Sequence, residues 1–194
     1  FSVSLKEKFR RIDYVIMFSV LGMAFLGILT LSGVAGDSAG GQLALYSAVL
    51  SKSSVLRDVF SVKDCGLDFT CLALVSAVAD MNSGFPMSVY TKGMWGKNYA
   101  SSPTSRYMNF KDIAKFAQLP PTVLFTSSGD ILAEKQTISI YNRIKQLGVK
   151  TELYNYGKVD GKHLPHVFSV LYPYSESGND AIDKCCDRIN DDAT

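Results

Sequence analysis

The sequence predicts an α/β protein, with a mainly parallel β-sheet that is flanked by helices. Short apolar runs of strand length alternate along the chain with helix-forming runs, which is the pattern of βαβ units. The chain has 194 residues, of which 47% are hydrophobic and 20% are charged, as is ordinary for a globular protein with its own core. We therefore expect a single domain over residues 1–194.

The elements follow from these runs in chain order. Four segments have the composition of strands, of which residues 71–80 are a continuous apolar run and residues 150–157 alternate: residues 28–35, 71–80, 122–130 and 150–157. Three segments are predicted to be helices: residues 39–52, 134–148 and 176–192.

Two longer connections interrupt this alternation. Residues 53–70 are charged and irregular, and we expect a connection without regular structure there. Residues 81–118 are too many for a plain loop, and they predict a lid-like or cap-like insertion that contains short helices. Its aromatic and methionine side chains fit ordinary packing and an apolar acyl or alcohol pocket equally well: Met87, Tyr90, Met94, Trp95, Tyr99, Tyr107 and Phe110.

Charge and cysteine content exclude several classes of partner. The chain has 20 basic and 18 acidic residues and no basic stripe interleaved with aromatics, so we expect no nucleic-acid partner. Its four cysteines have no zinc-site spacing, and two of them are adjacent, an arrangement that rarely forms a disulfide: Cys65, Cys71, Cys185 and Cys186. We predict reduced thiols in a cytoplasmic protein that needs no metal and no organic cofactor.

The apolar stretch near the start of the chain has two interpretations. Residues 14–36 carry no charge and follow a basic segment, which are the length and flank of a membrane-spanning helix. If residues 28–35 form a strand, however, too few apolar residues precede them to cross a bilayer. We prefer the strand, and membrane association through residues 14–36 is the alternative to a cytoplasmic location.

A serine motif lies between the first predicted strand and the first predicted helix. Residues 36–40 read Gly-Asp-Ser-Ala-Gly, a G-x-S-x-G pattern typical of a sharp turn that lifts a serine hydroxyl above a sheet. Ser38 is the candidate nucleophile. The N–H of Ala39, at the positive end of the helix, is the candidate oxyanion-hole donor. Asp37 could support this turn by a hydrogen bond, although simple turn chemistry explains it equally well.

Two further candidates follow later strands at the same rim of the sheet. A serine nucleophile needs a base within hydrogen-bond reach and a third group that orients the base. Asp130 ends the third strand and His166 lies in the loop after the fourth, and Ser…Asp…His is the chain order of the α/β-hydrolase fold. Asp130 alternatively caps the next helix. Glu134 is the backup acid and His163 the backup base.

Three stretches resemble the hormone-sensitive-lipase-like α/β-hydrolases, a family of carboxylesterases and lipases. GDSAGGQLALYSAVL is similar to the serine elbow, LPPTVLFTSSGDILAEK to the acid segment, and LGVKTELYNYGKVDGKHLPHVF to the last strand and histidine loop. The resemblance covers roughly residues 28–190. It implies that Ser38 is the nucleophile, Asp130 the acid and His166 the base in the cleavage of a small-molecule carboxylic ester through an acyl-enzyme.

The chain departs from that family in the segment before the elbow. The family has an H-G-G-G loop there that supplies further oxyanion donors, and no H-G-G occurs in this sequence. We therefore expect an α/β-hydrolase domain that is incomplete at its N-terminus. The alternatives are another acyl hydrolase (a thioesterase, deacetylase or peptidase), a catalytically impaired relative that only binds, and a membrane-anchored hydrolase.

Overall fold

The computed structural model describes residues 33–64, 66–81, 84, 87–88, 91, 98–101 and 105–191. Several sequence predictions fall outside these residues. They are the strand segment 28–32, most of the apolar stretch 14–36, and the residues Cys65, Tyr90, Met94 and Trp95, together with the side chain of Tyr99.

Four strands form one parallel sheet in chain order. They are β1 (Gly33–Asp37), β2 (Cys71–Val75), β3 (Thr122–Ser127) and β4 (Thr151–Tyr156). Strands β1 and β2 end level, with Asp37 beside Val75. Val75 lies beside Phe125, and β3 and β4 continue for two more residues to the Ser127–Tyr156 pair. All residues of β2 and β3 are buried, as expected for parallel strands that are covered on both faces. The α/β prediction with a parallel sheet is confirmed.

Helices surround this sheet. They are α1 (Ser38–Lys52), α2 (Ser54–Phe60), α3 (Phe110–Ile113), α4 (Glu134–Gln146), α5 (Phe168–Leu171) and α6 (Glu176–Asp191). Short 3-10 turns occur at Tyr99–Ser101, Ser105–Tyr107 and Ala114–Phe116. A small antiparallel hairpin follows β4 and consists of β5 (Lys158–Val159) and β6 (Lys162–His163).

The helices form a layer on each face of the sheet. Helix α3 contacts both α1 and α4, and the uniform strand direction puts right-handed crossovers on one face. On the opposite face, alternate side chains of β2 and β3 pack against Phe168 of α5 and Ala181 of α6. The ring of Phe168 lies 4.9 Å from that of Tyr156 on β4. This buried ring anchors the chain two residues after His166.

The segment 53–70, which we expected to be irregular, contains helix α2. The hydroxyl of Ser53 accepts a hydrogen bond from the N–H of Leu56 at 3.3 Å, which caps the first turn. Leu56 is buried, and the helix ends at Ser61 in a left-handed conformation. Arg57 also donates hydrogen bonds to the carbonyls of Leu50 and Ser51. A local cap and a few contacts outside the helix therefore fix it in a charged stretch.

Element boundaries also differ from the predictions. Strand β2 ends at Val75 rather than at residue 80 because Ser76 has a left-handed φ of 49°. The histidine loop contains the hairpin β5–β6 and helix α5, neither of which the sequence predicted. Helix α4 ends just before Gly148, whose φ of 76° suits the predicted helix stop.

The insertion contains short helices in its described part, as expected. Three of its apolar side chains, Met87, Tyr107 and Phe110, are buried. The rings of Phe60 and Phe116 contact the ring of Tyr107 edge-on, at 5.9 and 6.2 Å. These contacts favour packing over a pocket for the three side chains. The lid role of the insertion stays a prediction.

Across the residues that the structure describes, no helix has the length and apolar character needed to cross a membrane.

Candidate active site

Ser38 lies at a tight turn between β1 and α1. Its φ is 46°, a left-handed conformation that costs a non-glycine residue energy and is common at functional sites. A Cβ on Gly36 would lie 2.4 Å from the carbonyl oxygen of Gly40, and one on Gly41 would lie 2.7 Å from the Cβ of Ala77. The turn is therefore closed only because these positions carry no side chain, which confirms the expected geometry.

Three loops bring the candidate serine, histidine and aspartate together. Nε2 of His166 lies 2.9 Å from Oγ of Ser38. Nδ1 of His166 lies 2.9 Å from each carboxylate oxygen of Asp130. Since Asp130 is an acceptor, Nδ1 carries the proton and Nε2 is free to accept the hydrogen of the serine hydroxyl. The His166 side chain is 26% exposed and that of Asp130 is fully buried, so the site opens to solvent on the serine side.

The Asp130 carboxylate is held in its ionised form. Burial raises its pKa, but hydrogen bonds from His166, Ser76 and the N–H of Ala133 outweigh burial, and the pKa lies below its usual range. The N–H groups of Leu132 and Ala133 lie 3.2 and 2.8 Å from Oδ1. Asp130 therefore holds the turn before α4 while it also contacts His166. The N-cap position of that helix is Ala133, so Asp130 does not cap the helix itself.

The backup residues lie elsewhere. Glu134 accepts a hydrogen bond from Nδ2 of Asn155 at 3.1 Å, and it does not contact the histidine. His163 is exposed, and its Nδ1 lies 3.2 Å from Oγ of Ser128. The structure therefore brings neither of them to Ser38.

The elbow residues beside Ser38 are where the sequence predicts them. Ala39 is the exposed second residue of α1, so its N–H belongs to the first turn of the helix. The side chain of Asp37 makes no capping hydrogen bond to α1, which favours the simple turn interpretation for this residue.

Sequence reasoning missed Ser76, which lies at the same rim. Its hydroxyl oxygen accepts a hydrogen bond from the N–H of Val167 at 3.2 Å and also contacts the Asp130 carboxylate. The available signal was a lone serine inside the apolar run LALVSAVA, directly after a predicted strand.

Other chemistry is limited in the described part of the chain. There, no three His, Cys, Asp or Glu side chains converge as a metal-binding group. Cys185 and Cys186 carry free thiols. Burial raises the pKa of Cys185 to about 12, which keeps this thiol protonated.

Comparison with known proteins identifies the family. A family model described as the alpha/beta hydrolase fold matches residues 31–168, and the chain belongs to this family. This match confirms the resemblance to hormone-sensitive-lipase-like α/β-hydrolases. No curated protein matches the chain.

Several solved esterases share the fold. Esterase B from Lactobacillus rhamnosis is 24% identical with a TM-score of 0.72, and the match covers 82% of this chain and 52% of that one. EstE1, a carboxylesterase cloned from a metagenomic library, is 22% identical with a TM-score of 0.57, and the match covers 84% and 55%. The esterase of Pyrobaculum calidifontis is 22% identical with a TM-score of 0.54, and the match covers 81% and 51%. The chain spans about half the length of these esterases.

The elbow geometry predicts that Gly36→Ala destabilises the protein by about 1–3 kcal/mol, because the new Cβ meets backbone atoms that cannot move away. Gly157→Ala is the matched control, since a Cβ there meets nothing within 4 Å. It should change the free energy of unfolding by less than about 1 kcal/mol. Urea denaturation measures both variants. Equal stability of the two would mean that the elbow relaxes around a methyl group.

The lowered pKa of Asp130 predicts how stability depends on pH. The folded protein binds this proton less tightly than the unfolded chain, in which the pKa is about 3.9. The resulting stabilisation is complete well above that value and is lost as the pH falls through the folded-state pKa. Asp130→Asn should therefore be less stable than the wild type at pH 7, and this gap should narrow in acid.

Urea denaturation across the pH range measures the difference in free energy of unfolding between the wild type and Asp130→Asn. Asp160→Asn removes the same charge from an exposed turn and is the matched control. A gap for Asp130→Asn that stays constant down to about pH 3 would contradict the assigned ionisation.

Proposed function

We propose that the chain carries the reaction centre of a serine hydrolase that cleaves carboxylic esters with small to medium acyl groups. The observation that most supports this proposal is the position of the His166 ring. One of its nitrogens lies 2.9 Å from the Ser38 hydroxyl, and the other lies 2.9 Å from the buried Asp130 carboxylate. This arrangement fits a nucleophile, a base and a group that orients the base.

Acylation begins at the elbow. The Ser38 oxygen attacks the ester carbonyl carbon while Nε2 of His166 takes the hydroxyl proton. The resulting oxyanion is stabilised by the N–H of Ala39 at the positive end of α1. When the tetrahedral intermediate collapses, the bond to the alcohol oxygen breaks, and the leaving alcohol receives the proton from His166.

Deacylation reuses the same groups. His166 takes a proton from a water molecule, and the water oxygen attacks the acyl carbon. The acid then leaves, and the proton returns to Ser38. Through both steps Asp130 holds the imidazole in the required tautomer and stabilises the imidazolium. These steps use the side chains of the three residues, the backbone N–H of Ala39 and water.

The oxyanion hole sets the expected rate of this chain. Ala39 supplies one N–H, whereas the family resemblance implies further donors from an H-G-G-G loop that is not among these residues. Each missing donor typically costs about 10²–10³ in rate. We therefore expect measurable but slow turnover from the chain as it stands.

The proposed substrate class agrees with a related structure. Esterase B of Lactobacillus rhamnosis has been solved as inhibited by a C4-C4 SN3 tributyrin phosphonate, and it is 25% identical to this chain with a TM-score of 0.72. This relation supports short-chain acyl esters as the first substrates to try.

The proposal predicts slow turnover of p-nitrophenyl acetate and butyrate that falls to background in Ser38→Ala. His166→Ala should lose as much, and the double variant should lose no more, because the two side chains act as one unit. His163→Ala is the matched control, since its ring pairs with Ser128, and it should keep the wild-type rate.

Steady-state kinetics and circular dichroism on the same samples test this prediction. Equal background from folded wild type and folded Ser38→Ala would overturn the proposal. The chain would then be a relative that keeps the residues without their chemistry.

A further inference from the structure

Ser76 occupies a demanding position at the end of β2. It is fully buried, and its φ of 49° is left-handed, a conformation that favours glycine. Its N–H donates to the carbonyl of Phe125 on β3 at 2.7 Å. A buried serine in a strained conformation needs partners for its hydroxyl, and those partners indicate its role.

The Ser76 hydroxyl both accepts and donates a hydrogen bond at the candidate site. Its oxygen accepts a hydrogen bond from the N–H of Val167 at 3.2 Å. The same hydroxyl donates a hydrogen bond to the carboxylate of Asp130, and this bond helps to hold the pKa of that carboxyl below its usual range. One hydroxyl therefore links the carboxylate to the peptide that directly follows His166.

We propose that Ser76 is a positioning residue, whose hydroxyl fixes Asp130 and the backbone after His166 relative to each other. This inference rests on the proposed hydrolase function. It differs from a simple packing role because the hydroxyl touches both sides of the Asp130–His166 contact.

A second serine at the rim provides the comparison. The hydroxyl of Ser127 donates to the carbonyl of Leu164 at 2.8 Å, so it ties the same histidine loop. Its hydrogen is committed to that carbonyl rather than to Asp130. Replacing either serine loosens the loop, but only the Ser76 replacement removes a donor from the carboxylate.

The charged groups around this contact define the expected pH effect. Asp130 and His166 are in direct contact, with Nδ1 of the ring 2.9 Å from the carboxylate. Glu134, at the start of α4, pairs with Asn155, and His163, on the histidine loop, pairs with Ser128. On the elbow, Asp37 is the neighbouring carboxylate. With one donor fewer, the Asp130 carboxylate is a stronger base, so the pair takes up its proton at higher pH.

The test compares Ser76→Ala, Ser76→Gly and Ser127→Ala. Glycine adopts the φ of 49° without strain, so Ser76→Gly removes the hydroxyl from a protein that folds even if the alanine variant does not. Both Ser76 variants should lower kcat/KM about tenfold, mainly through kcat, the size expected for one hydrogen bond to a charged group. The acid limb of their pH profile should move to higher pH, because the carboxylate has lost a donor. Ser127→Ala should leave that limb in place.

An NMR titration makes the test independent of turnover. The ring protons of His166 report proton uptake by the pair in a Ser38→Ala background, and His163, the other histidine of the sequence, is the internal reference. A shifted titration in Ser76→Gly, with His163 unchanged, supports the inference even if no ester is turned over, in which case the proposed function alone fails. Wild-type titration and wild-type kcat/KM in Ser76→Gly would overturn the inference and leave Ser76 a packing residue.

Discussion

The carboxyl ends of the parallel strands, which lie within two residues of one another in the register, are the constraint on which the candidate site depends. Asp37 of β1 lies beside Val75 of β2, which in turn lies beside Phe125 of β3. The loops that leave these ends, together with the loop after β4, therefore meet in a small volume. His166 reaches Ser38 from 128 positions away in the sequence because the register brings both of their loops to one rim.

Backbone strain is concentrated at this rim. Ser38, Ser76 and Val167 all have left-handed φ values, of 46°, 49° and 51°. Each such residue costs on the order of 1–3 kcal/mol, and strain of this kind persists only where the surrounding structure over-determines the conformation. Here the buried strands below the rim, and Phe168 beside it, supply that support. The sheet is thus the rigid base that holds three strained loops in register with one another.

The features that could be predicted from the sequence are those that depend on a local pattern of residues. The G-x-S-x-G motif and the pattern of each strand and helix lie within a short window of residues. Asp130 and His166 were found because each follows a segment with a clear strand pattern. The α/β class and the tight elbow were predictable for this reason.

The parts that escaped prediction depend on contacts between distant residues or on single hydrogen bonds. Helix α2 rests on a cap at Ser53, on the buried Leu56 and on hydrogen bonds from Arg57 to the end of α1. It lies in a stretch whose composition is that of a loop. The partners of Ser76 lie on other loops, and Val167 is 91 positions away along the chain. A lone serine in an apolar run does not by itself indicate which groups its hydroxyl meets.

Covalent trapping is the most direct test of whether His166 activates Ser38 as a nucleophile. The folded chain would be treated with a short-chain alkyl phosphonate ester at neutral pH, and the adduct would be located by peptide mass spectrometry. If His166 activates Ser38, a single adduct forms on Ser38. This adduct does not form in His166→Ala and forms normally in His163→Ala. An adduct on another residue, or equal labelling of Ser38 with and without His166, would contradict this role of His166.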